Sequence, residues 1–445
     1  VKKSFKHLLA AGLYGLAGLA ALASASTALA QNALNCAWPL TVSPSGSGNY
    51  LAPDDQARYW MMPMPAGIRT LTLRGAYPNA RYFSFVAYDG DASGRPVGPA
   101  GDLYDSTIVP DGTGAGATYT VRISRDPAVS GMRNGIAVGA NDAWVALRMY
   151  VPRADTALSG NSLTGGVPLP TVAIDDGMPL QTCPPAPPMD GSTHYPVRSV
   201  NKLEDLRAFL QLMFPPGFDL RQPADFDQPA SGRLWFSPPR LSPPLLFPNP
   251  HNKYILMTPG PYQAGRVIVL RARAPDTTER LRRSPQARTR AAGAPEMRYW
   301  SVCNNDFALP IGVVRCMADT NAAVEGGWYT VVISDDLTRP RWLRPGVNWL
   351  PWGDPQYPKL VFFRHMLPAD DFPYAVQRVV EGCPDSCVNN DAVFDFTLPD
   401  LPSRAAISAA GPAVQRIMGE YYPVAAWCDR ATFERGGWQA CLGRP

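Results

Sequence analysis

Histidine, charge and long apolar runs are what this 445-residue chain has least of. Charged residues make up 18% and histidines number four, and beyond residue 30 only His194, His251 and His365 remain, far apart in sequence. The motifs that announce catalysis are missing with them. There is no G-x-S-x-G turn to present a nucleophilic serine, no H-E-x-x-H pair to hold zinc, and no glycine-rich cradle for phosphate. No stretch after residue 30 approaches the roughly 20 apolar residues that cross a bilayer as a helix, which excludes a helical span there. The formal charge of +4 includes the basic residues at the start and calls for no nucleic-acid partner.

What the chain has in plenty is proline, 48 residues of it. Proline breaks helices and settles in turns and extended segments, so the load favours strands joined by many turns. Lys2, Lys3, Lys6 and His7 precede the apolar run from Leu8 to Ala25 and the ending Ala28-Leu29-Ala30. A charged start, an apolar middle and an A-x-A end predict a secretory signal peptide (1–30) cleaved near Ala30, with a secreted or periplasmic mature chain starting at Gln31. About 415 mature residues exceed what one core serves, so two domains are expected.

All eight cysteines (Cys36, Cys183, Cys303, Cys316, Cys383, Cys387, Cys428, Cys441) lie in the mature part. An even number in an exported chain predicts four disulfides, with about 105 formal pairings. Position favours Cys36 with Cys183 across the first half, Cys303 with Cys316 across a hairpin, and the last four within the tail. A redox or metal C-x-x-C is poorly served, because three residues separate Cys383 from Cys387.

The chain also echoes itself. Arg58-Tyr-Trp-Met-Met62 returns as Lys253-Tyr-Ile-Leu-Met257, the Gly67 to Pro78 block as Gly265 to Pro275, and Arg81-Tyr-Phe-Ser84 as Arg298-Tyr-Trp-Ser301. Tyr119-Thr-Val-Arg-Ile-Ser124 returns as Tyr329-Thr-Val-Val-Ile-Ser334, and Val145 to Pro152 as Val361 to Pro368. The offsets of 195, 197, 217, 210 and 216 drift as loops change length and never break order. Each block is short, rich in β-branched and aromatic residues, and bounded by Gly, Pro, Asn or Asp, as strands are. The expected fold is mainly β, two duplicated β-sandwich or jelly-roll-like domains at 36–190 and 245–380. A linker at 191–244 holds a helix over 201–214 and proline-rich straps, and a disulfide-containing tail follows at 381–445.

The second half, with Arg298-Tyr-Trp-Ser301, Asn348-Trp-Leu-Pro351 and the strand from Arg364 to Pro368, resembles the C-terminal β module of a family of uncharacterised bacterial proteins. That module carries an F/Y-W-S strand, an N-W-L-P turn and an R-x-Y-x-P strand. The first half, with Thr164-Gly-Gly-Val-Pro-Leu-Pro170, resembles secreted hypothetical proteins of actinobacteria and proteobacteria. The resemblance implies export and a β-sandwich. It implies no reaction.

Candidate site residues are few. Arg148 and Arg364 are equivalent in the two copies, and each has the planar guanidinium that holds a carboxylate or sulfate; the stronger reading has them tying strands to neighbouring carboxylates or carbonyls. His251 sits in a proline-flanked loop. His365 neighbours Arg364 on a strand and points to the opposite face. Trp349 and Trp352 resemble platforms for saccharides or flat apolar ligands, although a sandwich core also consumes tryptophan. Asp89, Asp91 and Ser93 begin like a calcium loop, but the twelfth position is Ala100 where a bidentate glutamate belongs, and a polar hairpin turn is the stronger reading. No cofactor is called for, calcium being the one metal with any signal. The pattern points to an extracytoplasmic protein that binds a small molecule or saccharide or serves a structural role. An extracytoplasmic enzyme with its site in the inter-domain cleft is the alternative.

Overall fold

The computed structural model describes residues 36–42, 44, 48–49, 52–91, 96–112, 117–153, 164–175, 177–184, 232–238, 247–277, 295–307, 311–382 and 404–443. The leading segment, the linker helix expected over 201–214, Ser93, and the pair Cys383 and Cys387 lie outside the described residues.

The first half contains β1 (Leu40–Val42), β2 (Ala57–Met64), β3 (Thr70–Ala76), β4 (Tyr82–Gly90), β5 (Pro96–Tyr104), β6 (Thr118–Ser124), β7 (Gly135–Ala137), β8 (Ala143–Tyr150), β9 (Thr171–Ile174) and β10 (Met178–Leu180). The second contains β11 (Arg233–Leu234), β12 (Asn252–Met257), β13 (Arg266–Arg273), β14 (Met297–Asp306), β15 (Val313–Ala318), β16 (Trp328–Ser334), β17 (Val347–Pro351), β18 (Lys359–Pro368) and β19 (Val424–Asp429). Among the described residues, the α-helices are α1 (Val376–Gly382), α2 (Arg404–Met418) and α3 (Arg430–Leu442).

The strands form two pairs of sheets with one shared order. Sheet β1-β2-β8-β4-β5 matches β12-β18-β14-β15, and β10-β9-β3-β6-β7 matches β11-β19-β13-β16-β17. Even the exception repeats, since β6 with β7 and β16 with β17 are parallel pairs. The registers agree residue for residue. Arg148 stands between Tyr59 and Ser84 across β2-β8-β4, and Arg364 between Tyr254 and Ser301 across β12-β18-β14. All five sequence echoes fall on corresponding strands. The protein is mainly β, built of sandwiches rather than a closed barrel.

Alternation along the strands explains how the halves meet. On β4, Phe83, Phe85 and Ala87 enter the core of the first half, while Tyr82 on the other face joins a cluster with Tyr150, Tyr299, Ala318 and Met366. On β14, Trp300 and Val302 enter the second core, and Tyr299 turns to the first half. Sheets β2-β8-β4-β5 and β12-β18-β14-β15 are therefore covered on both faces, which is why β4, β8, β14 and β18 are buried along nearly their whole length.

The tail belongs to the second half. β19 lies beside β13, where β9 lies beside β3 in the first half, and α3 covers Val267, Val269 and Val332 through Phe433. Three disulfides are described: Cys36–Cys183, Cys303–Cys316 across β14 and β15, and Cys428–Cys441 between β19 and α3.

Candidate functional site

Each half sends an arm across the other. In the arm that leads into β2, Asn49 exchanges two hydrogen bonds with the backbone of Val313 (2.7 Å each), Ala52 N donates to Ile311 O (2.8 Å), and Asp55 Oδ2 accepts from Cys316 N (2.7 Å). The arm that leads into β12 answers it. Phe247 O accepts from Arg148 Nη2 (2.6 Å), Pro248 O from the Tyr88 hydroxyl (2.7 Å), and Asn249 Oδ1 from the Tyr82 hydroxyl (3.2 Å).

Ion pairs cross the seam with the same reciprocity. Arg81 at the head of β4 bonds Asp319 after β15 (2.5 Å), and Arg298 on β14 bonds Asp105 after β5 (2.7 Å). Arg81 matches Arg298 in the repeated motif, and the two aspartates follow corresponding strands. This is the contact pattern of an isologous interface, here made within one chain.

The two repeated arginines sit at the centre. Arg364, 2% exposed, pairs through Nη1 with Oδ2 of the fully buried Asp54, which also accepts from the Ser301 hydroxyl (2.7 Å) and the Tyr299 hydroxyl (2.9 Å). The other carboxylate oxygen, Oδ1, accepts from Gln56 N (2.9 Å). Burial works against the Arg364 charge, and the adjacent Asp54 more than offsets it, holding the guanidinium charged well above its ordinary range. Arg148, 3% exposed, donates to the Tyr88 hydroxyl (2.5 Å) and to Phe247 O. Both arginines face the seam, Arg364 toward a carboxylate of the other half's arm and Arg148 toward a backbone carbonyl.

The two histidines play different parts. His251, with 13% of its side chain exposed, meets Asp102 Oδ2 at Nε2 (3.0 Å) and the Tyr82 hydroxyl at Nδ1 (2.7 Å), its ring 4.4 Å from that of Tyr104. The order Asp102, His251, Tyr82 has the outline of a catalytic relay. Its last member, Tyr82, is fully buried, and that burial pushes the hydroxyl well above the usual phenol range. His365 is fully buried against Phe363, and its Nδ1 accepts from Val376 N (3.1 Å), fixing the start of α1. Burial lowers its pKa to about 3, so it is neutral at any physiological pH.

The tryptophan platform is corrected. Trp352, 2% exposed, is a core residue beside Trp427 (5.6 Å) and Tyr262 (5.7 Å). Trp349 packs against the separate cluster under α3, its Nε1 donating to Ser334 Oγ (2.9 Å). The two rings belong to different layers and offer no shared face. At the expected calcium loop, Asp89 Oδ1 accepts from Gly139 N (2.6 Å), which ties the end of β4 to the segment after β7. Among the described residues, the group with metal-ligand spacing is Asp54, Cys303 and Cys316, and the disulfide between its two cysteines removes the thiolates a metal would need.

Sequence reading missed Asp54, Asn249, the tyrosines of the seam and the aspartates that answer Arg81 and Arg298. The two arginines were inside the repeated R-Y-[FW]-S motif, so the signal for half of that lock was present.

No family model and no curated protein matches the chain. Among solved structures, a putative uncharacterized protein from Burkholderia cenocepacia is similar at 15% identity, covering 80% of this chain and 86% of its own, with a TM-score of 0.48. A protein from Vibrio parahaemolyticus is similar at 10% identity over 72% of this chain and 86% of its own, with a TM-score of 0.37. Likenesses this distant assign no role to the seam.

Proposed function

We propose that the protein is an exported structural or binding protein of the periplasm or cell exterior, whose two β halves descend from one duplicated unit and act as a single rigid, non-catalytic body. The observation that carries this reading is the reciprocity of the seam: Arg81, Arg298, Arg364, Arg148 and His251 all direct their polar groups to the opposite half or its arm. Groups already held in bonds to the opposite half are poor catalysts, because a substrate would have to displace those bonds and leave charges unpaired. Disulfides favour an oxidising compartment, in keeping with the apolar segment that opens the chain.

The compartment is tested by expressing the chain in a bacterial host, fractionating the cells, and weighing the intact protein after thiol alkylation without reduction. Export predicts a periplasmic or secreted product that starts near Gln31 and takes up no alkylating agent. A full-length cytoplasmic product with eight reactive thiols would overturn it.

A further inference from the structure

The two arginine centres share one strand register and differ in the side chain that the arm brings to each. Asp54 and Asn249 occupy corresponding places in the two arms, three residues before the start of β2 and of β12. Each fixes its own arm with Oδ1, which accepts from the backbone N–H two residues on: Gln56 N for Asp54 (2.9 Å) and His251 N for Asn249 (3.1 Å). That bond sets the amide orientation of Asn249, since only oxygen can accept there.

The consequences differ at the second side-chain atom. In the second half, Asp54 Oδ2 is an acceptor on which Arg364 Nη1 and Ser301 Oγ converge. In the first half the corresponding atom is Asn249 Nδ2, a donor. The counterparts of Arg364 and Ser301 are Arg148 and Ser84, which stand directly across β8 and β4 from each other. Arg148 Nη1 and Asn249 Nδ2 are buried donors with no hydrogen-bond partner, and the Ser84 hydroxyl, also buried, lies beside that of Tyr82. Two of these groups can only donate, the Ser84 hydroxyl is neutral, and the guanidinium carries a full positive charge that it cannot shed. The remaining polar groups around Arg148 are neutral hydroxyls of Tyr88, Tyr82 and Tyr150, while Asp102 is held at His251 Nε2.

We propose that the first half binds one compact monovalent anion, a halide or a carboxylate as small as formate, between Arg148, Asn249 and Ser84, where the second half holds the carboxylate of Asp54. The anion supplies the acceptor and the charge that the arm of the second half lacks. Burial of all three residues restricts the site to a compact ion, and a buried guanidinium without a carboxylate partner is costly enough to hold it. This site does not depend on the compartment or on the role proposed above.

The test uses the mature protein exchanged into a medium whose only anions are too large for the site, at fixed ionic strength. Chloride, bromide or formate is then titrated while thermal unfolding is followed, and bromide-soaked crystals are measured at the bromine absorption edge. A ligand that binds only the folded state raises the melting temperature with the logarithm of its concentration once the site saturates. The expected result is such a rise for the wild type, one bromide per chain beside Arg148 Nη1, and a flat response for Asn249→Asp, which supplies its own carboxylate. Asp54→Asn, which leaves the first-half site intact, keeps the rise. A wild-type melting temperature indifferent to the anion, with no bromine signal at Arg148, would overturn the proposal.

Discussion

The pair Asp54 and Arg364 shows how much one buried carboxylate can do in this chain. It joins residues 310 positions apart, and it gives four donors one acceptor group. Removing one partner of a buried pair leaves the other charged and unsolvated, so Asp54→Asn is expected to cost about 3–5 kcal/mol in urea unfolding. Arg298→Ala breaks a pair whose side chains are 26% and 24% exposed, and should cost about 1 kcal/mol or less. Similar costs for the two variants would mean that burial does not rank the ties. A second residue-scale prediction concerns His365. Its folded pKa of about 3 lies below the ordinary value of 6.5, so the unfolded chain takes up a proton that the folded chain refuses. Its contribution is complete above pH 6.5 and is lost as pH falls toward 3, at roughly 1.4 kcal/mol per unit. Asp55, raised to about 6 by burial and then by Asp54, works in the opposite sense between 6 and 3.8. The comparison is therefore with His365→Asn: the stability advantage of the wild type should shrink between pH 7 and pH 4, and parallel curves would refute it. At this scale the sequence was legible where a residue repeated, as Arg148 and Arg364 did. It was silent on Asp54, because nothing local links that residue to an arginine on a strand of the other half.

Elements were more readable than contacts. The five echoed blocks became β2 with β12, β3 with β13, β4 with β14, β6 with β16 and β8 with β18. These strands are rich in branched and aromatic residues because most of them are buried on one or both faces, and burial is what sequence pattern records. The pairs β5 with β15, β7 with β17 and β9 with β19 escaped. β5 reads Pro-Val-Gly-Pro-Ala-Gly before its polar end, and β19 sits in a tail far along the chain from its partner β13. Only pairing across space makes either a strand. The disulfide that clasps the first half belongs to the same scale. Cys36 and Cys183 enclose the whole of its strands at a separation of 147 residues, so their replacement by serine should cost about 3–5 kcal/mol by loop-closure entropy. Loss of less than about 1 kcal/mol would place the first half's stability elsewhere.

At the scale of the whole molecule, the argument rests on the seam. Two sandwiches joined only by a linker would unfold independently, each presenting a closed surface to solvent. Here the central sheets share a cluster that draws Tyr82 and Tyr150 from one half and Tyr299 and Met366 from the other, and each arm completes the neighbour's polar network. Separation would expose that cluster and strand Asp54 and Arg364 apart. The sequence announced two related halves but not that they share an interior, since the residues of the seam are individually ordinary tyrosines, serines and aspartates. The most direct measurement is hydrogen exchange read by mass spectrometry in rising urea, comparing peptides from β2, β4 and β8 with peptides from β12, β14 and β18. One body predicts that the slowest amides of both sets lose protection at the same urea concentration. Two separated transitions, one for each half, would contradict it.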